Sequence, residues 1–261
     1  MNDDLKKIIS IITCHAEQEI MSRFNRVGFD LKRDGSLVTE ADLAMQESVA
    51  RELKTHWPDF DFLGEEMLSE NQQALLDADN KGLWILDPLD GTSNFASGVP
   101  IFSVSLALVR NKQIQLGCVF DPVRNEMFSA INGQGAWLNG KALHVETKSR
   151  TINQCIAQID FKRLPEKMAT RLAAEHPYAS QRNFGSGALD WCWLAASRSQ
   201  LYVHGGQKLW DHAAGHLILL EAGGCACDFS KQEDFSLSLK PQSVVAATNR
   251  HQLEQFINAY L

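Results

Sequence analysis

The sequence predicts a mixed α/β protein, and three observations predict it. An amphipathic helix leads the chain, residues 101–131 alternate as an antiparallel meander, and strand and helix patterns take turns from residue 156 onward. A helix or a sheet hides one apolar face by stacking on another element, so this order calls for layers around a shared core.

The elements follow in turn. Residues 4–26 place Leu5, Ile8, Ile9, Ile12, Ala16 and Ile20 at helical spacing. Leu31 to Gly35 reads as a loop, and Ser36-Leu37-Val38-Thr39 leads into a helix from Glu40 to Leu53, with Pro58 closing the region. Phe60–Gly64 reads as a strand running into Glu65-Glu66; Leu68 to Asp79 is polar, looped or helical, and is the expected mobile piece. Trp84-Ile85-Leu86 has the apolar run of a buried strand. It is expected to break at Asp87-Pro88, because proline cannot donate to a sheet ladder. Gly91-Thr92 then starts a helix and Gly98 stops it.

Strands Ile101–Val109, Gln113–Phe120 and Glu126–Ala130 form the meander, which the Asn132-Gly133 and Asn139-Gly140 turns carry to about residue 145. Beyond it come a strand at Ile156–Ile159, helices at Pro165–Glu175 and Ala188–Ala196, and a strand at Leu201–His204. A helix from His212 to Ala222, a strand at Ser243–Thr248 and a closing helix at His251–Ala259 complete the chain. At 261 residues the chain is about the size at which one core gives way to two. The expected division lies at 145–150, with residues 1–147 forming an N-terminal α+β domain and 148–261 a C-terminal α/β domain.

Composition excludes several classes. The net charge of -7, without a cluster of Lys and Arg, excludes a nucleic-acid-binding surface. No apolar run reaches the ~20 residues of a membrane span, and Met1–Lys7 lacks the form of a signal peptide. The six cysteines are scattered, with only Cys225 and Cys227 close together, which suits reduced buried thiols. A cytoplasmic protein is expected, acting on a small molecule and forming a homodimer.

Glu65, Asp87, Asp90 and Asp211 all fall where a strand ends or a helix begins. Two such charges ~4 Å apart repel by about 4 kcal/mol at an effective dielectric of 20. A divalent cation resolves that repulsion, and an all-carboxylate set selects Mg²⁺, Mn²⁺ or Ca²⁺ over zinc. Spacing alone equally suits independent caps and turn aspartates.

The stretch from Asp87 to Phe95, Asp-Pro-Leu-Asp-Gly-Thr-Ser-Asn-Phe, resembles the first signature of the inositol monophosphatase family. Trp210-Asp211-His212-Ala213-Ala214-Gly215, running on to Glu221-Ala222-Gly223-Gly224, resembles the second. Gly64-Glu65-Glu66 and Leu37–Asp42 resemble further family elements in the family's order, so the resemblance covers nearly the whole chain. It implies a layered α-β-α-β-α sandwich of the inositol monophosphatase and fructose-1,6-bisphosphatase kind. The implied activity is that of a Mg²⁺-dependent, lithium-sensitive phosphomonoesterase. By position, Glu65, Asp87, Asp90, Asp211 and the Leu89 carbonyl would hold two or three Mg²⁺ ions, with Asp87 bridging two. Glu65 and Thr92, the latter oriented by Asp42, would activate the attacking water. Asp90, Ser93 and the Gly91 and Thr92 amides would hold the phosphate, and Gly187, His204 and Lys208 would face the substrate. The implied substrate is inositol monophosphate or a related sugar phosphate.

Other residues point less directly. His212 and His216 stand one helical turn apart, a spacing that can bind a metal, but as surface or supporting histidines they need no ion. Lys32 suits either a contact near the metals or a solvated loop. Trp191 and Trp193 suit the core or a subunit interface, and Gly185-Ser186-Gly187 suits a tight turn that the resemblance sets beside the substrate. His204 stands where inositol-specific relatives carry a glutamate, and Lys208 adds positive charge. Strict inositol specificity is therefore in question, and a nucleotide or sugar bisphosphate becomes an alternative. Two other rivals are a dehalogenase-type phosphatase with an aspartate nucleophile and a silent module that binds metal and phosphate. The dehalogenase pattern sets its aspartates two apart; Asp87 and Asp90 are three apart.

Overall fold

A computed structural model describes residues 3–32, 37–146 and 150–261 of the chain. Helix α1 (Asp3–His15) continues as one π-helical turn at Ala16–Met21, so the expected long helix changes its winding half-way. Strands β1 (Asp30–Leu31) and β2 (Leu37–Val38) pair across a connection whose residues 33–36 lie outside the described ones, as does part of the expected Leu31–Gly35 loop. Helix α2 (Glu40–His56) starts on a capping box, in which Asp42 accepts from Thr39 N–H and Thr39 Oγ1 accepts from the Ala41 amide. Next come β3 (Asp61–Gly64), α3 (Ser69–Asp77), β4 (Leu83–Asp90) and the short α4 (Thr92–Ala96). The meander supplies β5 (Ser103–Arg110), β6 (Gln113–Asp121), β7 (Glu126–Ile131), β8 (Gly135–Leu138) and β9 (Lys141–Leu143). The second half runs β10 (Ile156–Asp160), α5 (Glu166–Glu175), β11 (Ser180–Arg182), α6 (Gly187–Ala195), β12 (Leu201–Gln207) and α7 (Leu209–Glu221). It ends with β13 (Cys225–Cys227), β14 (Gln242–Ala247) and α8 (Arg250–Tyr260).

Seven strands form one sheet in chain order from β3 to β9, antiparallel except for the β3–β4 pair. Five form a second sheet ordered β11-β10-β12-β14-β13, with β10 parallel to both neighbours and β14 antiparallel to both of its own. Residues 147–149, inside the expected division at 145–150, lie outside the described residues.

Side chains alternate across each strand, and that alternation builds the layers. On β4, Trp84 and Leu86 face α1 and α2, packing with Leu5, Ile8, Ile12 and Met45. Leu83 and Ile85 face the other way, toward Leu189 and Trp191 of α6 and Ala214 and Ile218 of α7, which also meet Tyr202 and Ala246 of the second sheet. Ala157, Val203 and Val245 on that sheet's outer face are covered by Leu172 of α5 and Leu253 and Phe256 of α8. The result is the expected α-β-α-β-α sandwich, with α6 and α7 as the central layer. Trp191 and Trp193 are buried in that layer, so they belong to the core. The layer is tight. A Cβ on Gly117 would lie 2.8 Å from the Ala214 carbonyl oxygen, and one on Gly215 would lie 2.5 Å from Trp191 Cβ.

Candidate active site

β4 does not stop at Asp87. Asp87 pairs with Ser105 and Asp90 with Ser103, so Pro88 and Leu89 together oppose one residue of β5 in a bulge. Pro88, which lacks an N–H, is at home there and does not end the strand. In a regular strand residues three apart point to opposite faces, and the extra residue cancels that. Asp87 and Asp90 thus meet Asp211, and one carboxylate oxygen from each lies within 4.8 Å of the others. Gly91 follows at φ +96°, a left-handed conformation that glycine adopts freely, and turns the chain into α4. At five residues α4 is too short for a full macrodipole, so any anion held there depends on the free N–H groups of its first turn.

Each carboxylate is fixed by its backbone. Asp90 accepts from Gly187 N (3.2 Å) and Ala188 N (2.8 Å) at the start of α6, and from Ser186 Oγ (2.6 Å). Asp211 accepts from Lys208 N at 3.0 Å, closing the first turn of α7, and Asp87 accepts from Leu89 N at 3.0 Å. That cap explains why α7 begins at Leu209 and not at the expected His212. Burial first, then Glu65, Asp90 and Asp211, push the Asp87 carboxyl well above its ordinary range. Burial raises Asp90 to about 6 against the opposing hydrogen bonds of α6. Burial, followed by Asp90 and Glu65, raises Asp211 to about 8. Carboxylates that resist ionising in the protein alone form a donor set that fits a hard divalent cation.

A second group lies beside the first. Thr92 Oγ1 stands 3.1 Å from Asp42 Oδ1 and 3.0 Å from the Leu89 carbonyl oxygen, while Asp42 Oδ2 accepts from Thr39 N (2.7 Å) and Thr39 Oγ1 (2.6 Å). Lys32 Nζ bridges Glu65 Oε1 (3.1 Å) and Glu66 Oε1 (2.6 Å), so it is not a solvated loop lysine. Burial disfavours its charge, yet Glu65 and Glu66 hold it above the usual lysine range. Burial lifts Glu66 itself to about 7. These groups border a cleft of about 180 Å³ lined by Glu65, Asp87, Asp90, Thr92, Lys208 and Asp211, among others.

A sequence profile of the inositol monophosphatase family matches residues 2–260. The chain belongs to the inositol monophosphatase family. It is 38% identical over 218 residues to the Nus factor SuhB of Haemophilus influenzae, covering 82% of this chain and 78% of that one. It is 38% identical over 229 residues to inositol monophosphatase 1 of Solanum lycopersicum, covering 85% and 82%. Its fold matches the solved Thermotoga maritima IMPase with a TM-score of 0.85 at 29% identity, covering 99% of this chain and 96% of that one.

In this family member the cleft is lined by Glu65, Asp87, Leu89, Asp90, Gly91, Thr92, Ser93, Lys208 and Asp211, and Asp42 reaches it through Thr92. Gly187 and His204 do not line it. Gly187 spends its N–H on Asp90, while His204 is buried, with Nε2 3.3 Å from Asp160 Oδ2 and Nδ1 accepting from Gly206 N. His212 and His216, expected as surface or supporting histidines, face inward, and burial lowers them to about 4 and about 3. Arg163 lines the cleft and carries no signal in the sequence, because it follows a strand more than forty residues from either signature. Ser186 sits in the expected Gly185-Ser186-Gly187 turn, and its hydroxyl is among the closest partners of Asp90.

Proposed function

We propose that the chain hydrolyses a small phosphate monoester, inositol monophosphate or a related sugar phosphate, with Mg²⁺ and an attacking water. The observation that carries this reading is the convergence of Asp87, Asp90 and Asp211 within 4.8 Å, beside the Thr92–Asp42 pair. Glu65, the Leu89 carbonyl and the three aspartates would hold two or three ions. Bound Mg²⁺ lowers the pKa of water and neutralises charge on a phosphoryl group. Asp42, anchored by Thr39, would accept the Thr92 hydroxyl hydrogen, so that Thr92 accepts a hydrogen bond from water and, as it takes the water's proton, passes its own to the Asp42 carboxylate. Lys32 fixes the Glu65 carboxylate at the same wall. The Gly91, Thr92 and Ser93 amides supply the phosphate cradle. No side chain needs to become phosphorylated, because these groups serve water and leave Asp87 to the cation. The six cysteines are all free thiols, which supports a reducing, cytoplasmic setting, and a homodimer completes the reading.

Arg163 and Lys208 on one wall favour a second reading of the substrate, with an anionic leaving group such as a bisphosphate provides. Initial rates with Mg²⁺ on inositol, sugar and nucleotide phosphates test both. Turnover of the monophosphates above all others supports the first, preference for bisphosphates supports the second, and no turnover of any phosphate defeats the proposal.

A further inference from the structure

A second cavity, of about 270 Å³ and open to solvent on one side, is bounded by α6, α7, β12, β13, β14 and the 228–241 segment, and it shares no lining residue with the carboxylate cleft. We propose that this cavity binds a flat nitrogen heterocycle, uncharged or protonated. Three features set that class.

The first is aromatic. The Phe235 ring centroid lies 5.5 Å from His212 and 6.0 Å from His216, and Trp191 stands edge-on 5.6 Å from His216. A planar ring inserted among them gains stacking and edge contacts.

The second is hydrogen bonding. His212 Nδ1 lies 2.9 Å from the Lys208 carbonyl oxygen, which can only accept, so Nδ1 carries hydrogen. His212 Nε2 then has no protein partner among the described residues. Neither nitrogen of the mostly buried His216 has one either, and burial keeps that ring neutral, with one donor and one acceptor to offer. Both rings line the cavity and their unpartnered nitrogens stay open to solvent, so a ligand bearing ring nitrogens or an amino group can replace water on them. A metal ion is not held this way, because the two imidazoles have no third ligand near enough among the described residues.

The third is charge. Glu233 is paired with Arg250, but Asp228 and Asp234 also line the cavity and, among the described residues, no Lys or Arg does, so a phosphate or carboxylate is disfavoured. The volume sits just under the roughly 300–1,000 Å³ of pockets for drug-sized ligands, which suits a single bicyclic ring.

Adenine and 2-aminobenzimidazole are the probes, titrated into the Mg²⁺-loaded protein with inorganic phosphate saturating the cleft, and read by the intrinsic fluorescence of the six tryptophans, of which Trp191 lines the cavity. Benzoate, an anionic ring, is the control. Saturable quenching by both probes and none by benzoate is expected, with affinity about tenfold lower in His216→Leu and in Phe235→Ala, the loss of one hydrogen bond or one ring contact. Both variants should retain wild-type turnover, which shows that they fold. Absence of saturable quenching, binding of benzoate as tight as that of the probes, or unchanged affinity in both variants overturns the proposal.

Discussion

Asp211 caps α7 through the Lys208 N–H and also stands in the carboxylate cluster, and these duties can be separated by one atom. In Asp211→Asn the amide oxygen still accepts from Lys208 N, but the charge is gone. Relief of repulsion should raise the melting temperature of the metal-free protein by ~2–4 °C for each kcal/mol gained, while Mg²⁺-dependent turnover falls by more than about a hundredfold. Calorimetry on EDTA-treated protein, paired with a phosphate-release assay, checks both halves; a variant that loses stability without metal would show that Asp211 is mainly structural. Thr92→Val makes the complementary cut. It keeps the volume and removes the hydroxyl that Asp42 orients, so kcat should drop about 10²–10⁴-fold with Mg²⁺ affinity unchanged. Lys208→Ala bears on substrate choice. A loss of about tenfold confined to bisphosphorylated substrates is expected if Lys208 meets an anionic leaving group, and equal losses on mono- and bisphosphates would tie it to the carboxylate site instead.

At the scale of elements, the site depends on two joints. One is the β4 bulge, which turns aspartates three apart onto one face. The other is the start of α6, whose Gly187 and Ala188 N–H groups hold Asp90. Neither was legible in the sequence. Asp87-Pro88 signalled a strand end because proline removes a ladder donor, but a bulge accommodates the same loss, and only the partner strand decides between them. β11 and β13, three residues each, escaped notice because such short strands take their pairing from neighbours rather than from their own pattern. The long periodic elements, α2, α5, α8 and the meander, were legible because one buried face recurs over many residues. α7 was legible except at its start, where the cap is a contact between Asp211 and a residue three positions earlier. The central layer gives an element-scale prediction. Gly215→Ala drives a methyl group into Trp191 between α6 and α7, so denaturant unfolding should show a loss of about 1–3 kcal/mol. An unchanged midpoint would mean that the two helices part easily.

Across the whole molecule, the buried cluster links stability to pH and to metal. Asp211 rises from the ordinary 3.8 to about 8, and Asp87 and Asp90 rise as well, so the folded metal-free protein binds more protons than the unfolded chain. Groups with raised folded values contribute most stability below about pH 4 and lose it as pH climbs through their folded values. From these groups, metal-free stability should fall between about pH 4 and pH 8, and Mg²⁺ should restore most at the upper end. Melting curves with EDTA or Mg²⁺ at pH 5 and pH 8 read this directly; an equal Mg²⁺ effect at both would break the link between the cluster and the ion. The most direct measurement of the central claim is phosphate release from inositol 1-phosphate by metal-stripped protein titrated with Mg²⁺, with Asp90→Asn run beside it. Without metal there should be no turnover, Mg²⁺ should activate saturably, and the variant should be inactive but folded. Turnover that survives EDTA, or an Asp90→Asn protein with near-normal rate, would contradict the claim.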